Sequence, residues 1–461
     1  MLAPIWAALA LRVAQESNPR YELAWRLREL ERTWIAHPDN ELRVEALPHI
    51  EEAVASFFRF DVPATAEAVD TARAVLEGRG TELGERWPDG LRVTLSSRLL
   101  DDDTDHLVLR LGREYGELPT TQVILVLDEA LAGQLSVDRS FDGRALEWDC
   151  DVTPWPTGDH QAAFVVGQEN SLFAPRSVHF SIVNKRDARL AELKAELAAL
   201  PENAPALERA TASDTLALLE RLAKGATEET DYPAARLLSE TERVVAAAAK
   251  GERWFTREHG GEFWLSVPNG RGAARVRLFV PDALAADKPV PLVVALHGAG
   301  GSENMFFDAY GDGLAVKLCR ARGWMLVAPR VTLGGAPVAA VIAALAERFP
   351  LDRARVFLVG HSMGAGAGQA LIAKAPRDYR AFAALGGGSR IADASALRET
   401  PIFVGAGERD FGRKGAESLH ASLAAAGSKA TKLSVYPSCE HLMVVVEALP
   451  DVFAWFDAHS K

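Results

Sequence analysis

A serine stands between glycines at the end of an apolar run, in the sequence Gly-His-Ser-Met-Gly at 360–364. Residues 356–359 before it (Val-Phe-Leu-Val) indicate a strand buried on both faces, and the small residues of 365–374 after it predict a helix. A sharp turn between such elements exposes a serine hydroxyl above the sheet. The flanking glycines keep the turn free of Cβ atoms, and the first N–H groups of the helix face the site where negative charge develops. Ser362 is therefore the candidate nucleophile, and a glycine-rich turn used only for packing is the alternative.

A serine hydroxyl becomes a nucleophile only when a base takes its proton and an acid orients that base. After a serine at such a strand–helix turn, the chain is expected to present the acid first and the histidine second. Three histidines follow Ser362: His420 lies within a predicted helix, His459 lies near the chain end, and His441 lies in a loop. That loop joins the last predicted strand to the closing helix, so His441 is the predicted base.

The acid is expected in the loop after the predicted strand at 402–404, which reads Gly-Ala-Gly-Glu-Arg-Asp at 405–410. Loops that follow parallel strands meet at the carboxyl edge of a sheet, the same edge as Ser362. Asp410 is the predicted acid because the glycine three residues before it lets the side chain turn inward. Glu408 in the same loop is the competitor, and a solvated loop charge is the remaining interpretation.

Attack on a carbonyl creates an oxyanion, which two backbone N–H groups can stabilise. Met363, the residue after the candidate nucleophile, is expected to supply one of them. The loop His-Gly-Ala-Gly-Gly at 297–301 follows a predicted strand and is expected to supply the other. Ala299 is the first choice and Gly298 the second. We interpret His297 as a scaffold for this loop and His361 as a packing residue.

The chain of 461 residues is long for one hydrophobic core, and about three domains are expected. Its patterns change from a helical N-terminal region (1–88) to a β-sandwich-like module (89–186), a helical connector (187–251) and a C-terminal domain (252–461). Strands and helices alternate in the last part, which predicts a mostly parallel sheet with helices on both faces. The fold class is therefore α/β, preceded by helices and a small antiparallel β module. The many charges of the first 80 residues are interpreted as solvated helix faces.

The formal net charge of −12 argues against nucleic acid or an anionic membrane as a partner. The chain has three cysteines, Cys150, Cys319 and Cys439, which indicate neither a disulfide framework nor a zinc site. A single disulfide bridge between two of them is the alternative. The acidic run at 101–103 lacks the spacing of a calcium loop and is interpreted as a polar turn. The sequence thus predicts no metal and no organic cofactor.

The apolar run at 2–13 is too short to span a membrane and no positive charge precedes it. We interpret it as a first helix that packs Ile5, Trp6 and Leu9, with the tail of a truncated export signal as the alternative. No other run is long and apolar enough for a transmembrane helix. The sequence predicts a protein without a membrane span. It is cytoplasmic if 2–13 is a helix of the folded protein and exported if 2–13 is the tail of a signal. The sequence makes no prediction of the oligomeric state.

The motifs at 297–301 and 360–364, with Asp410 and His441 in that order, resemble the α/β-hydrolase superfamily over 252–461. Within it, the domain looks like the carboxylesterase, feruloyl-esterase and dienelactone-hydrolase-like group, and like the catalytic domain of prolyl oligopeptidase-type peptidases. Two motifs differ from those of the groups it resembles. The oxyanion loop is not the His-Gly-Gly-Gly of many lipases. His361 stands where dienelactone hydrolases and disulfide-tethered feruloyl esterases have their own signatures.

The resemblance implies a serine esterase with a triad of Ser362, His441 and Asp410 that acts through an acyl-enzyme. The stretch 382–401 has no room for a large cap, which predicts an open cleft for small or exposed esters, including carbohydrate-linked ones. The 250 upstream residues could roof the site instead, or dock a carbohydrate or another protein. Two other functions stay open: a serine peptidase of prolyl oligopeptidase type, and a non-catalytic binding protein on a hydrolase scaffold. A third interpretation makes residues 1–250 an interaction module with the hydrolase as its effector.

Overall fold

The computed structural model describes residues 19–461 except 119–121, 130–132, 141–144, 169–170, 173–175, 271, 283, 286–287 and 333. The predicted first helix, with Ile5, Trp6 and Leu9, lies outside the described residues. The chain begins with the helices α1 (Pro19–Ala36), α2 (Asn40–Phe58) and α3 (Val62–Leu76). Asp39 and Asp61 cap the last two, since each carboxylate accepts a hydrogen bond from an N–H group of the first helical turn.

Among the described residues, nine strands then form two small sheets that face each other: β1 (Leu91–Leu95), β2 (Leu99–Asp101), β3 (His106–Arg113), β4 (Gln122–Glu129), β5 (Gly133–Ser140), β6 (Ala145–Asp151), β7 (Gly158–Gln168), β8 (Ser171–Leu172) and β9 (Arg176–Val183). One sheet has the order β1-β3-β6, and the other has the order β2-β9-β7-β4-β5 with β8 beside β7. All pairs are antiparallel except β2 with β9. Side chains from both sheets, among them Trp148 and Phe164, share one apolar core. This arrangement is a β-sandwich.

Three helices connect the sandwich to the C-terminal domain: α4 (Arg186–Ala198), α5 (Ala206–Leu222) and α6 (Ala234–Ala249). The strands of that domain are β10 (Gly261–Asn269), β11 (Gly272–Val280), β12 (Val290–Leu296), β13 (Met325–Pro329), β14 (Leu351–His361), β15 (Ala381–Leu385), β16 (Ile402–Gly407) and β17 (Thr431–Tyr436). Its helices are α7 (Met305–Asp308), α8 (Tyr310–Arg322), α9 (Val338–Ala346), α10 (Met363–Lys374), α11 (Arg413–Ala425) and α12 (Val444–Ala458).

The large sheet has the strand order β10-β11-β13-β12-β14-β15-β16-β17. Strand β11 runs antiparallel to both its neighbours, and all the other pairs are parallel. The prediction of a mostly parallel sheet is confirmed. With helices on both faces and the serine turn directly after β14, the domain has the α/β-hydrolase fold.

Helices from outside the C-terminal domain complete the covering of both faces of the large sheet. Alternate side chains of β12 point to opposite faces, as strand geometry requires. Leu292 and Val294 belong to a core that includes buried residues of α4, α5 and α6. Val293 and Ala295 belong to a second core, which includes Leu30, Trp34, Leu47 and Ile50 of α1 and α2. The N-terminal helices and the connector therefore share hydrophobic cores with the α/β domain.

Several charged residues of the first 80 are buried, and their interpretation as solvated faces is wrong for these. Glu22 pairs with Arg26 at 2.7 Å and with Arg176 of β9 at 2.8 Å, and Arg26 pairs with Asp70 of α3 at 2.7 Å. Glu22 and Arg26 pair within α1, but their other partners, Arg176 and Asp70, come from the sandwich and α3, which sequence periodicity does not reveal. These pairs join α1 to both neighbours.

No helix in the described part of the chain has the length and apolar character needed to cross a membrane. Cys150, Cys319 and Cys439 are all buried and all free, so the disulfide left open by the sequence is absent.

Candidate active site

Ser362 lies in a strained turn between β14 and α10. Its backbone has φ 54° and ψ −115°, a region that residues other than glycine rarely adopt, and such strain costs on the order of 1–3 kcal/mol. The turn is held by a hydrogen bond of 2.8 Å from the Ser362 N–H to the Leu385 carbonyl oxygen. A Cβ at Gly360 would collide with the Gly364 carbonyl, and one at Gly364 with the Leu296 carbonyl. The predicted strand, turn and helix are all present.

The three residues predicted as a triad lie in one hydrogen-bonded chain. The His441 Nε2 atom is 3.0 Å from the Ser362 Oγ atom, and the His441 Nδ1 atom is 2.8 Å from the Asp410 Oδ1 atom. An ionised carboxylate only accepts, so Nδ1 carries the proton and donates to Asp410. Nε2 is then free to accept the Ser362 hydroxyl proton. This arrangement can generate a nucleophilic oxygen on Ser362.

Asp410, and not Glu408, contacts His441. Asp410 is 5% exposed, and its Oδ1 atom also accepts a hydrogen bond of 2.6 Å from the Gly412 N–H. Burial opposes ionisation, but the hydrogen bonds from the His441 Nδ1–H and the Gly412 N–H more than offset it, so the pKa of Asp410 lies below its usual value. The side chain of Glu408 is exposed and accepts from the Ser438 N–H at 3.3 Å.

A run of three glycines at 386–388, directly after β15, gives this site its space. A Cβ on Gly386 would lie 3.0 Å from the Asp410 Oδ2 atom and 3.1 Å from the His441 Nδ1 atom. A Cβ on Gly387 would lie 2.8 Å from the Ser362 carbonyl oxygen. This run was not among the predicted site features, although three glycines after a buried strand at the reactive edge are a sequence signal of close approach.

His297 holds the candidate oxyanion loop in shape. Its Nδ1–H donates to the Gly298 carbonyl oxygen at 2.8 Å, and its Nε2 atom accepts from the Val331 N–H at 2.8 Å. Burial lowers the pKa of His297 to about 4, so the ring is neutral at neutral pH, as these two bonds require. This geometry fits the interpretation of His297 as a scaffold.

The two predicted loop donors differ in their surroundings. Gly298 is buried beside the His361 ring, where a Cβ on Gly298 would lie 3.0 Å from the Nδ1 atom, whereas Ala299 is exposed. Within the described part of the chain, the Ala299 N–H has no hydrogen-bond acceptor. Met363 begins α10, where N–H groups lack partners within the helix. Ala299 and Met363 therefore remain as candidate oxyanion donors.

His361 links Tyr310 to His441, which its interpretation as a packing residue missed. Its Nε2–H donates to the His441 carbonyl oxygen at 3.0 Å, and its Nδ1 atom accepts from the Tyr310 hydroxyl at 2.7 Å. Burial, with a contribution from His441, lowers the pKa of His361 to about 3, so the ring stays neutral. Tyr310 and His361 hold the backbone of His441, and Tyr310 carries no motif that would mark it in the sequence.

Replacing Tyr310 by phenylalanine is expected to lower kcat about 3- to 10-fold with little change in KM. The variant loses the hydrogen bond to His361, and a neutral hydrogen bond contributes about 0.5–1.5 kcal/mol. Steady-state kinetics on an activated ester measures both constants. Tyr379→Phe, at a buried tyrosine just before β15 and so at the opposite edge of the sheet, is the matched control. Equal losses in both variants would show that Tyr310 has no role particular to the site.

The N-terminal helices cover the candidate site. A cavity with about 150 Å³ of space open to water-sized molecules borders Ser362 and His441, and residues of α1, α2 and α3 form much of its wall. The expected open cleft is therefore corrected in part: no cap is inserted between 382 and 401, but helices from the far end of the chain cover one side of the cavity, which stays partly open. The helices α1–α3 match the alternative in which upstream residues cover the site.

Three buried carboxyl groups near the site have raised pKa values. Burial raises the pKa of Glu229 to about 7 and that of Glu440, beside His441, also to about 7. Glu31 of α1 is 1% exposed and accepts a hydrogen bond of 3.1 Å from the Gly311 N–H, next to Tyr310. Burial raises its pKa from 4.5 to about 8, against the opposing Gly311 N–H.

Glu31 makes the free energy of unfolding depend on pH. Between pH 4.5 and 8 the folded protein keeps the Glu31 proton and the unfolded chain does not, so stability falls as pH rises. One pKa unit corresponds to ~1.4 kcal/mol, and we expect the wild type to lose on the order of 1–3 kcal/mol more than Glu31→Gln between pH 5 and 9. Urea unfolding at both pH values measures this difference.

Glu45→Gln, at an exposed glutamate of α2, is the control and should leave the pH dependence of unfolding as in the wild type. Parallel pH profiles for wild type and Glu31→Gln would contradict the expectation.

No family model matches the chain, and no curated protein matches it. A solved feruloyl esterase module from Clostridium thermocellum, complexed with sinapinate, is 15% identical over 44% of this chain and 90% of that chain, with a TM-score of 0.39. A thermostable esterase is 15% identical over 79% of this chain and 99% of that chain, with a TM-score of 0.40. The S-formylglutathione hydrolase FrmB from Staphylococcus aureus is 14% identical over 44% and 99%, with a TM-score of 0.36. These similarities carry no conclusion about activity.

Proposed function

We propose that this chain is a serine hydrolase that cleaves carboxylic esters through an acyl-enzyme. The observation that supports it most is the unbroken hydrogen-bonded chain from Asp410 through His441 to Ser362, at 2.8 and 3.0 Å, with Ser362 in a strained turn. A turn used only for packing requires neither a histidine at the hydroxyl nor a carboxylate behind that histidine.

In the first half-reaction, the Ser362 Oγ atom attacks the ester carbonyl carbon while the His441 Nε2 atom takes the hydroxyl proton. Asp410 stabilises the imidazolium that forms and keeps Nδ1 protonated. The N–H groups of Met363 and Ala299 stabilise the oxyanion. The tetrahedral intermediate then collapses, the C–O bond to the alcohol breaks, and His441 returns the proton to the leaving oxygen.

In the second half-reaction, water takes the place of the alcohol. His441 removes a proton from water, the resulting oxygen attacks the acyl carbon, and Ser362 leaves with the proton that His441 returns. Each step uses groups of this chain and water. The substrate we propose is a small-molecule ester or an ester carried on a carbohydrate.

The experiment that tests this function compares p-nitrophenyl butyrate with the p-nitroanilide of the same acyl group. An esterase is expected to have a kcat/KM for the ester at least about 100-fold above that for the anilide. A preference for amides with peptide acyl groups would instead favour the serine peptidase. A folded protein that cleaves neither compound and releases no burst of p-nitrophenol would support the non-catalytic binding protein.

A further inference from the structure

We propose that α1, α2 and α3 form the acyl-binding pocket of this enzyme and that the pocket takes an apolar acyl group. This inference rests on the proposed function and names its substrate class. The cavity beside Ser362 is lined on the helix side by Leu23, Ala24, Leu27, Val54, Phe57 and Val69. Such a lining favours the transfer of an alkyl chain or an aromatic ring from water.

The size of the cavity limits the acyl group. The cavity volume is about 150 Å³, and an apolar cavity of roughly that volume accommodates a benzene-sized ring. The charged groups at its edge are already engaged, because Arg20 pairs with Glu229 at 2.7 Å. The pocket therefore suits a short or medium alkyl chain or a single aromatic ring, and it disfavours a charged acyl group.

The site's geometry assigns the cavity to the acyl group and the exterior to the alcohol. A carbonyl oxygen directed at the Ala299 and Met363 N–H groups leaves the alcohol oxygen beside His441, which must protonate it. The Phe411 ring packs on the His441 ring with centroids 4.1 Å apart, and Phe411 is 60% exposed. We therefore place the leaving alcohol toward solvent, past Phe411, and the acyl group in the apolar space between Ser362 and the helices.

The helices are tied to the catalytic domain around the pocket. Arg20 donates to the Gly300 carbonyl oxygen of the oxyanion loop at 3.0 Å, and a Cβ at Gly300 would collide with the Phe57 ring. On the opposite side, Glu51 of α2 pairs with Arg409, next to Asp410, at 2.6 Å. The same helices that bound the cavity therefore also contact the oxyanion loop and the Asp410 loop. Their side chains set the length and shape of the acyl group that fits.

Two variants of the full chain, one that fills the pocket and one that enlarges it, test the proposal with two series of esters. One series varies the acyl group of p-nitrophenyl esters from acetate to octanoate and includes benzoate; the other keeps the acetyl group and varies the alcohol. In the wild type, kcat/KM is expected to rise about fourfold per buried methylene until the pocket is full. Ala24→Phe is expected to lower the ratio of kcat/KM for hexanoate to kcat/KM for acetate at least 10-fold. Leu27→Ala is expected to move the optimum to longer chains.

Val44→Phe, at an exposed position of α2 outside the cavity, is the matched control. The relative kcat/KM values across the alcohol series are expected to be the same in all variants. If acetate is cleaved but the acyl profile of Ala24→Phe equals that of the wild type, or if the alcohol series changes instead, the pocket assignment is overturned while the esterase function stands.

Calorimetric binding of hexanoate to the wild type and to Ala24→Phe gives a readout that needs no hydrolysis. Binding to the wild type, at least 10-fold weaker in Ala24→Phe, supports the pocket even if no ester is cleaved. Equal binding to both proteins, or binding to neither, overturns it.

Discussion

Replacement of Ser362 by alanine is expected to reduce kcat for ester hydrolysis by about 10⁵- to 10⁶-fold, close to the limit set by residual oxyanion stabilisation and substrate binding. The variant lacks the oxygen that attacks the carbonyl, and water cannot occupy its position with the same alignment to the His441 Nε2 atom, 3.0 Å from Oγ. The measurement is release of p-nitrophenol from the acetate or butyrate ester.

The matched control is Ser418→Ala, at an exposed serine of α11, which should retain full activity. Thermal unfolding of both variants establishes that they are folded. A folded Ser362→Ala that keeps more than about one hundredth of the wild-type kcat would show that another group attacks the ester.

Replacement of Asp410 by asparagine is expected to lower kcat by about 10⁴-fold with a small change in KM. The carboxylate accepts the Nδ1–H of His441 at 2.8 Å, whereas an amide can present its own N–H to Nδ1 and place the imidazole proton on Nε2. His441 in that tautomer cannot take the Ser362 proton. Kinetics near pH 7 measures the loss in kcat.

Glu408→Gln is the control, because Glu408 lies two residues away in the same loop and was the competing candidate for the acid. We expect its kcat to stay within about threefold of the wild type, since its carboxylate is directed at the Ser438 N–H. A larger loss in Glu408→Gln than in Asp410→Asn would reverse the assignment.

The parts of the site that the sequence predicted are those set by local chain geometry. The turn at Ser362 needs an apolar strand, small flanking residues and a helix, all within 20 consecutive positions. His441 and Asp410 could be placed because each lies in a loop after a predicted strand, and such loops meet at one edge of a parallel sheet. The lack of a cap between 382 and 401 was also visible, but the fully open cleft predicted from it did not allow for the helices α1–α3.

The parts that the sequence could not predict depend on contacts between distant segments. The roof over the site comes from α1–α3, more than 280 positions from Ser362, and nothing in their helical periodicity states which surface they cover. In the sequence Glu31 resembles the other acidic residues of α1, and only its position against Gly311 makes it a buried carboxyl. Tyr310 acts on His441 through His361, and such a chain of hydrogen bonds has no pattern in the sequence.

The measurement that most directly tests the central claim is covalent labelling with a fluorophosphonate, followed by mass spectrometry of the digested protein. We predict one adduct per chain, on the peptide that contains Ser362, with labelling slowed by p-nitrophenyl butyrate. The Ser362→Ala variant should carry no adduct, and Asp410→Asn should react far more slowly than the wild type. An adduct on a different residue, or a folded wild type that stays unlabelled, would contradict the assignment of Ser362 as an activated nucleophile.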